Sequence, residues 1–324
     1  MQKFIDIPTI DISPLFTNDV EAKKVVANQI HATCRDGAGF FHISNHGIDI
    51  TKLQNTVYNF FKTLTEVEKL NIAVNAHNKN NLNPSNGFYT SAGGTKPDEK
   101  FVYANPKFVE THPLVTNDHC LQETNVWPDG KKYIGFRDFC EKYYWDMFNL
   151  SSKLLQGFAI ALGKEANFFD QYFKTEDNTS SISFIKCSFM ESYQDVKKAE
   201  DGTEVNFAEH QDVSLISLAF ITPLPNVQVK INGEYFDVPI SDENFLVHCG
   251  SYMSYITHDY FPAMYHRAKF VNAERLCLPF FVNLNPNTMI EPFFPNQIPQ
   301  TSYRKPLLYG DYWNDAVNAL LTRM

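Results

Sequence analysis

The chain has 324 residues, 44% of them hydrophobic and 15% aromatic, enough apolar side chain for one large core or two domains and too much for a disordered polymer. Its 28 basic residues stand against 37 acidic ones, a formal net charge of −9, and no run of Lys or Arg builds the basic face that phosphate backbones require, which argues against a nucleic-acid partner. The opening "MQKFIDIPTIDISPLF" has no continuous apolar core of a signal peptide, and nowhere do about 18 uncharged apolar residues follow one another, so a cytoplasmic protein without a membrane partner is expected.

In chain order, "IDIPTI" at residues 5–10 predicts a short strand. "DVEAKKVVANQIHATCRDGAG" then places Val25, Val26, Ile30 and Cys34 at helical spacing until Gly37 and Gly39 stop the helix. "FFHISNHGI" reads as a strand running into a turn, and a second helix is expected over about 50–70. Residues 76–100, rich in Asn, Gly, Ser and Pro, read as a long loop or lid. The longest periodic run covers about 133–163, where Phe136, Phe139, Tyr143, Met147, Leu150, Leu154 and Phe158 fall on one face, the pattern of a core helix.

After about residue 178 the texture changes to short β-type runs separated by turn residues: "SISFIKCSF", "VSLISLAFI", "VQVKI", "FLVHCGSYM", "AKFVNA" and "LPFFVNL". The expected class is α+β, with a helix-rich region over about 1–175 and a β-rich half of sandwich or barrel type over about 176–324. The six cysteines lie singly with no C-x-x-C pair, which suggests reduced thiols and neither a zinc knuckle nor a disulfide framework.

"NFAEHQDVSLISLAF", residues 206–220, puts His210 and Asp212 at the mouth of an apolar run. A carboxylate there costs several kcal/mol unless its charge is compensated. On a strand, positions i and i+2 share a face, so this H-x-D presents an imidazole beside a carboxylate. A third ligand is needed from elsewhere. Six other histidines lie in the N-terminal half, and His248, His258 and His266 lie in the β-rich half. Of these, His266 opens a strand and is followed nine residues later by Arg275, an always-charged fork suited to a carboxylate. Two imidazoles and one carboxylate on one face of a metal leave the opposite positions open, the arrangement of non-haem Fe(II) oxygen-activating enzymes. An ordinary hydrogen-bonded polar pair, a hydrolytic zinc site and a metal-free binding module on the same scaffold are the competing readings.

Collinear segments narrow that choice. "IPTIDISPLF", "GFFHISNHGI", "NGFY", "VNFAEHQDVSLIS", "ENFLVHCGSYMSYITHDYFPA", "HRAKFVNAERLCLPFFVN" and "YGDY" run over nearly the whole length. In them the chain resembles the isopenicillin N synthases and, more widely, the 2-oxoglutarate- and Fe(II)-dependent oxygenase superfamily. The resemblance implies one oxygenase domain over 1–324, with a double-stranded β-helix (jelly roll) core, a helical N-terminal region and flanking helices. It implies His210, Asp212 and His266 as ligands of Fe(II), O2 as cosubstrate, and a monomer acting on a small-molecule or short-peptide substrate.

The same resemblance points to departures. The synthases hold the valine carboxylate of a linear tripeptide, whose thiolate binds iron, with an Arg-x-Ser pair and a tyrosine. Here Arg275 matches, but the serine position reads Cys277 and the tyrosine position Cys187, and a thiol is a far weaker donor than a hydroxyl. An arginine expected just before "NGFY" is Ser85, and the glutamine the family carries near its C-terminus has no counterpart before Met324. Tyr89 and Ser181 match pocket positions, and Phe207 is a further expected substrate contact. Charged contacts are worth roughly 1.5–3 kcal/mol each, so the usual tripeptide is a poor substrate for this pocket. Two mechanisms follow. In one, substrate binds iron directly and supplies all the electrons for ring closure or desaturation. In the other, 2-oxoglutarate chelates iron with Arg275 on its distal carboxylate, and one substrate C–H is hydroxylated or desaturated.

Overall fold

The computed structural model describes residues 3–90, 98–116, 121–192, 196–293 and 304–321. In chain order its elements are β1 (Thr9–Asp11), α1 (Val20–His31), β2 (Phe40–Ser44), α2 (Ile50–Thr63), α3 (Glu66–Asn71), β3 (Gly87–Thr90), β4 (Asp98–Ala104), α4 (Phe136–Ala161), β5 (Ser181–Cys187), β6 (Val205–His210), β7 (Ile216–Ile221), β8 (Val227–Ile231), β9 (Glu234–Asp237), β10 (Phe245–Cys249), α5 (Ser251–Ile256), β11 (His266–Lys269), β12 (Arg275–Phe281) and α6 (Tyr309–Leu321).

The helices start where their side chains can satisfy free backbone N–H groups. Asp19 accepts from Ala22 N at 3.0 Å at the head of α1, and Asp49 accepts from Lys52 N at 2.9 Å at the head of α2. The single helix expected over about 50–70 is two helices. Leu64 is extended, and Thr65 with Glu68 forms a reciprocal capping box that starts α3. In α1, Val26 and Ile30 face the core, as does Cys34 in the π-helical turn that follows, but Val25 points to solvent. The stripe on α4 is core as expected, with Phe139 alone of its seven residues only partly buried.

Eight strands form the large sheet in the order β1-β2-β10-β7-β12-β5-β4-β3, and four form a smaller one in the order β6-β11-β8-β9. The large sheet therefore draws β1 to β4 from the helix-rich part. Within the segment 76–100 expected to be loop or lid, residues 87–90 form β3 and residues 98–100 begin β4, the last two strands of the sheet; residues 91–97 lie outside the described residues. The polar run "DEK" hid β4, because Asp98 and Lys100 look into the cleft between the sheets while Phe101 and Tyr103 enter the core. The strand expected to run through "FLVHCGSYM" stops at Cys249, and Ser251–Ile256 is helix. Gly250 makes that corner: a Cβ there would lie 2.2 Å from the Ser214 carbonyl oxygen, so only glycine permits the approach.

Period-two alternation fixes what each face of the large sheet meets. Phe101 and Tyr103 of β4, Ile182 and Phe184 of β5, Leu218 and Phe220 of β7, and Leu276, Leu278 and Phe280 of β12 join the core that packs under α1 and α4. The intervening residues turn the other way, toward the small sheet, where Ala219, Ile221 and Leu246 pack with Val227 and Val229. Between the sheets, the residues of β4, β5 and β12 that would complete this second core include charged and polar ones, and a cleft opens there.

Candidate active site

His210 closes β6 and His266 opens β11, and antiparallel pairing places them directly opposite, with ring centres 4.3 Å apart. Asp212 is not on a strand with His210, as the i, i+2 reading expected. It sits in the turn between β6 and β7, held there by Ser251 N–H donating to its carbonyl oxygen at 2.7 Å across the Gly250 corner. The result is the same grouping by a different route. One ligand atom from each of His210, Asp212 and His266 lies within 4.8 Å of the others, the group that could hold a metal ion among the described residues.

The donor chemistry fits a cation. His210 Nδ1 donates to Ala208 O at 2.9 Å, and His266 Nδ1 donates to Met264 O at 3.2 Å, each two residues back in its own chain. Both Nε2 lone pairs are thereby aimed at Asp212 Oδ1, at 3.4 and 3.7 Å. Lone pairs facing a carboxylate oxygen in a dry site repel unless a cation lies between them. Burial drives the His266 imidazole down to about 3, so it is neutral, the form that ligates.

His248, weighed against His266 from the sequence, also reaches the carboxylate. Its Nε2 lies 3.3 Å from Asp212 Oδ2, the oxygen turned away from the other two imidazoles. Both oxygens of Asp212 are thus faced by imidazole nitrogens. His258 lies outside the cleft lining, and His119 and Cys120 lie outside the described residues.

Two lobes meet at this grouping. One, of about 260 Å³, is lined by Ser85, Tyr89, Ser181, Phe207, His210 and Asp212, with Trp313 and Val317 of α6 on its far wall. The other, of about 160 Å³, shares Phe207, His210 and Asp212 and adds His266, Arg275, Cys277 and Cys187. Every residue expected to contact substrate or metal therefore lines one continuous region. Burial raises the thiols of Cys187 and Cys277, the latter to about 12 against the pull of Arg275, so both stay protonated and weak as donors. Tyr89 is likewise pushed up by burial to about 12. Ser85 turns its hydroxyl to Glu123 Oε1 at 2.9 Å instead of presenting a cation to the cleft.

The two buried arginines of the smaller lobe differ in their partners. Arg267 makes a two-pronged contact with Asp201, at 3.0 and 2.8 Å, and stacks on Tyr235. Arg275 is 3% exposed and meets a neutral amide, donating to Asn206 Oδ1 at 2.8 Å, while its Nε finds no acceptor among the described residues. Sequence reading missed Asp98 and Lys100, which line the same lobe. Had "DEKFVYA" been read as a strand, their i, i+2 spacing would have placed them on one face.

Comparison with known proteins agrees with this geometry. Residues 7–130 match the family described as non-haem dioxygenase in morphine synthesis N-terminal, and residues 184–284 match the 2OG-Fe(II) oxygenase superfamily. The chain is 46% identical to an isopenicillin N synthase of Streptomyces griseus, over 98% of this chain and 96% of that one. It is 43% identical to one of Penicillium rubens, over 98% and 97%. Among solved structures it is similar to a 2OG-Fe(II) oxygenase family protein from Caulobacter crescentus, with a TM-score of 0.76 at 15% identity, covering 97% of this chain and 99% of that one, a likeness of fold. No described helix is long and apolar enough to cross a membrane. The chain belongs to the isopenicillin N synthase family within the 2OG-Fe(II) oxygenase superfamily, and it is a non-haem iron oxidoreductase.

Proposed function

We propose that this chain catalyses an O2-dependent oxidative cyclisation or desaturation of a small carboxylate-bearing substrate, of thiol or peptide type, with the substrate supplying the electrons. His210, Asp212 and His266 would hold Fe(II), which when bound supplies O2 activation at its open positions. Arg275 would anchor the substrate carboxylate, with Phe207, Tyr89, Ser181, Cys187 and Cys277 shaping the walls. The two sheets are read as the halves of a double-stranded β-helix. The chain is read as one oxygenase unit, with its helix-rich part ending near 175, acting as a cytosolic monomer.

The observation that carries this reading is Arg275, a buried guanidinium without a carboxylate partner among the described residues, in the same cleft as the three metal-fitting side chains. A guanidinium in a dry pocket is costly unless an anion meets it. The chain's own residues then do three things: they bind the acid end, turn the rest of the substrate toward the imidazoles, and exclude water with Phe207 and Phe281.

Anaerobic titration of the Fe(II) protein with 2-oxoglutarate tests the reading. The expected result is no saturable visible absorption band and no succinate formation, with O2 uptake driven by a panel of thiol-bearing carboxylates alone. A band that saturates at micromolar concentration and is lost in Arg275→Ala would make 2-oxoglutarate the occupant of the arginine and this chain a 2-oxoglutarate-dependent dioxygenase.

A further inference from the structure

Beside Arg275, and apart from the Asp201-paired Arg267, the cleft wall carries another buried cation. Lys100 is 8% exposed, on the cleft face of β4 and two residues from Asp98. Its ammonium lies 5.5 Å from the ring centre of Tyr89 and 5.3 Å from that of Phe207, which sets it where the two lobes join. Its one ion pair among the described residues is with Asp98 Oδ2 at 3.5 Å. That is longer than the roughly 2.7–2.9 Å of a charge-assisted hydrogen bond. An ammonium has three donors, and among the described residues its one carboxylate contact is at the long end of ion-pair range.

Cross-strand register brings Lys100 toward Arg275. Asp98, Cys187 and Arg275 form one row across β4, β5 and β12, and Lys100, Ile185 and Cys277 form the next. β5 lies between the two, so their strands are roughly 10 Å apart, a gap that the ends of two long side chains share with a small ligand. The Cys277 thiol, pushed up chiefly by its burial, is pulled back by both Arg275 and Lys100, so both cations act on the same point of the wall. With Arg267 paired to Asp201 and Asp212 committed to the metal-fitting group, Arg275 and Lys100 face the one remaining carboxylate of this lobe, Asp98, which leaves one positive charge in excess. One further carboxylate neutralises it, whereas a dianion such as phosphate overshoots.

We propose that Lys100 and Arg275 clamp one carboxylate of the substrate between them, Lys100 supplying the second donor that the Cys187 and Cys277 thiols cannot. Asp98 is the tether from which the ligand draws the ammonium. Lys100 is on this view a specificity-determining residue. The inference rests on the reading that an acid occupies this cleft, and it names how the acid is held.

The test uses Fe(II)-loaded protein kept anaerobic and calorimetric titration with N-acetyl-cysteinyl-valine and with its C-terminal amide. Wild type should prefer the acid. Lys100→Met should weaken the acid about tenfold or more and leave the amide unchanged, and Lys100→Arg should keep part of the preference. Asp98→Asn should tighten the acid, because the competing carboxylate is gone, a gain that a purely structural ion pair would not give. An acid-to-amide ratio unchanged in Lys100→Met, or no tightening in Asp98→Asn, overturns the clamp. If neither dipeptide binds, 2-oxoglutarate takes their place: a tenfold loss in Lys100→Met keeps the clamp while ending the oxidase reading, and equal affinities overturn the clamp. Acetate, the bare carboxylate, closes the test. It should raise the unfolding temperature of wild type more than that of Lys100→Met, and equal responses, or none in wild type, overturn the clamp.

Discussion

The two sides of the cleft are built on different rules. On the metal side, three donors from β6, β11 and the turn between β6 and β7 converge, and each imidazole is oriented by a main-chain carbonyl two residues away. The opposite wall is lined by side chains from β3, β4, β5 and β12, which on the reading proposed above hold the substrate. The difference teaches that reaction type and substrate choice are separable here. On that reading the three donors set the first and the facing wall sets the second.

The comparison breaks if the metal side proves tolerant. Ala at His210, Asp212 or His266 should each abolish stoichiometric Fe(II) binding, read by metal analysis after desalting, while the circular dichroism spectrum stays that of the folded chain. Full iron content in any of the three removes that residue from the ligand set.

A gain-of-function experiment sharpens the wall. The unmodified chain should turn over the tripeptide of the synthases negligibly. Combining Ser85→Arg, Cys187→Tyr and Cys277→Ser should recover binding by roughly 4 kcal/mol, one charged and two neutral contacts, measured by anaerobic titration. Efficient ring closure by the unmodified chain would show that the wall matters less than its chemistry suggests.

A smaller effect concerns the floor of the larger lobe. Glu123 is buried under the Ser85–Asn86 turn and accepts from Ser85 N, Ser85 Oγ and Asn86 N, yet burial pushes it up to about 7. Its folded value is above its unfolded one, so the stabilisation is full below about 4.5 and is lost as pH rises through about 7. Glu123→Gln lacks that loss. Relative to wild type it should gain about 3 kcal/mol between pH 4.5 and pH 8, seen as a difference in unfolding midpoint that grows with pH. A pH-independent difference would mean the carboxyl titrates normally.

The same division explains what could be read from the sequence. His210, Asp212, His266 and Arg275 were legible because the H-x-D spacing and an arginine nine residues after a histidine carry their chemistry in one dimension. The stripe on α4 was legible from its period. Asp98 and Lys100 were not, because "DEK" has the composition of a loop, and its role appears only when β4 pairs with β5. His248 could be named only as a competitor, since its distance to Asp212 depends on β10 lying beside β7. The Ser251 helix was hidden by the apolar run before it, which has no feature but Gly250 to say where the strand stops.

One consequence follows from the Ala208 and Met264 carbonyls that fix the two imidazoles. An orientation written into the main chain is indifferent to which side chains surround it. Substitutions on the facing wall can then accumulate by drift without passing through intermediates whose iron site is damaged. A lineage built this way can search for new substrates while its oxidative chemistry stays switched on, which makes the backbone of β6 and β11 a source of evolvability as well as of geometry.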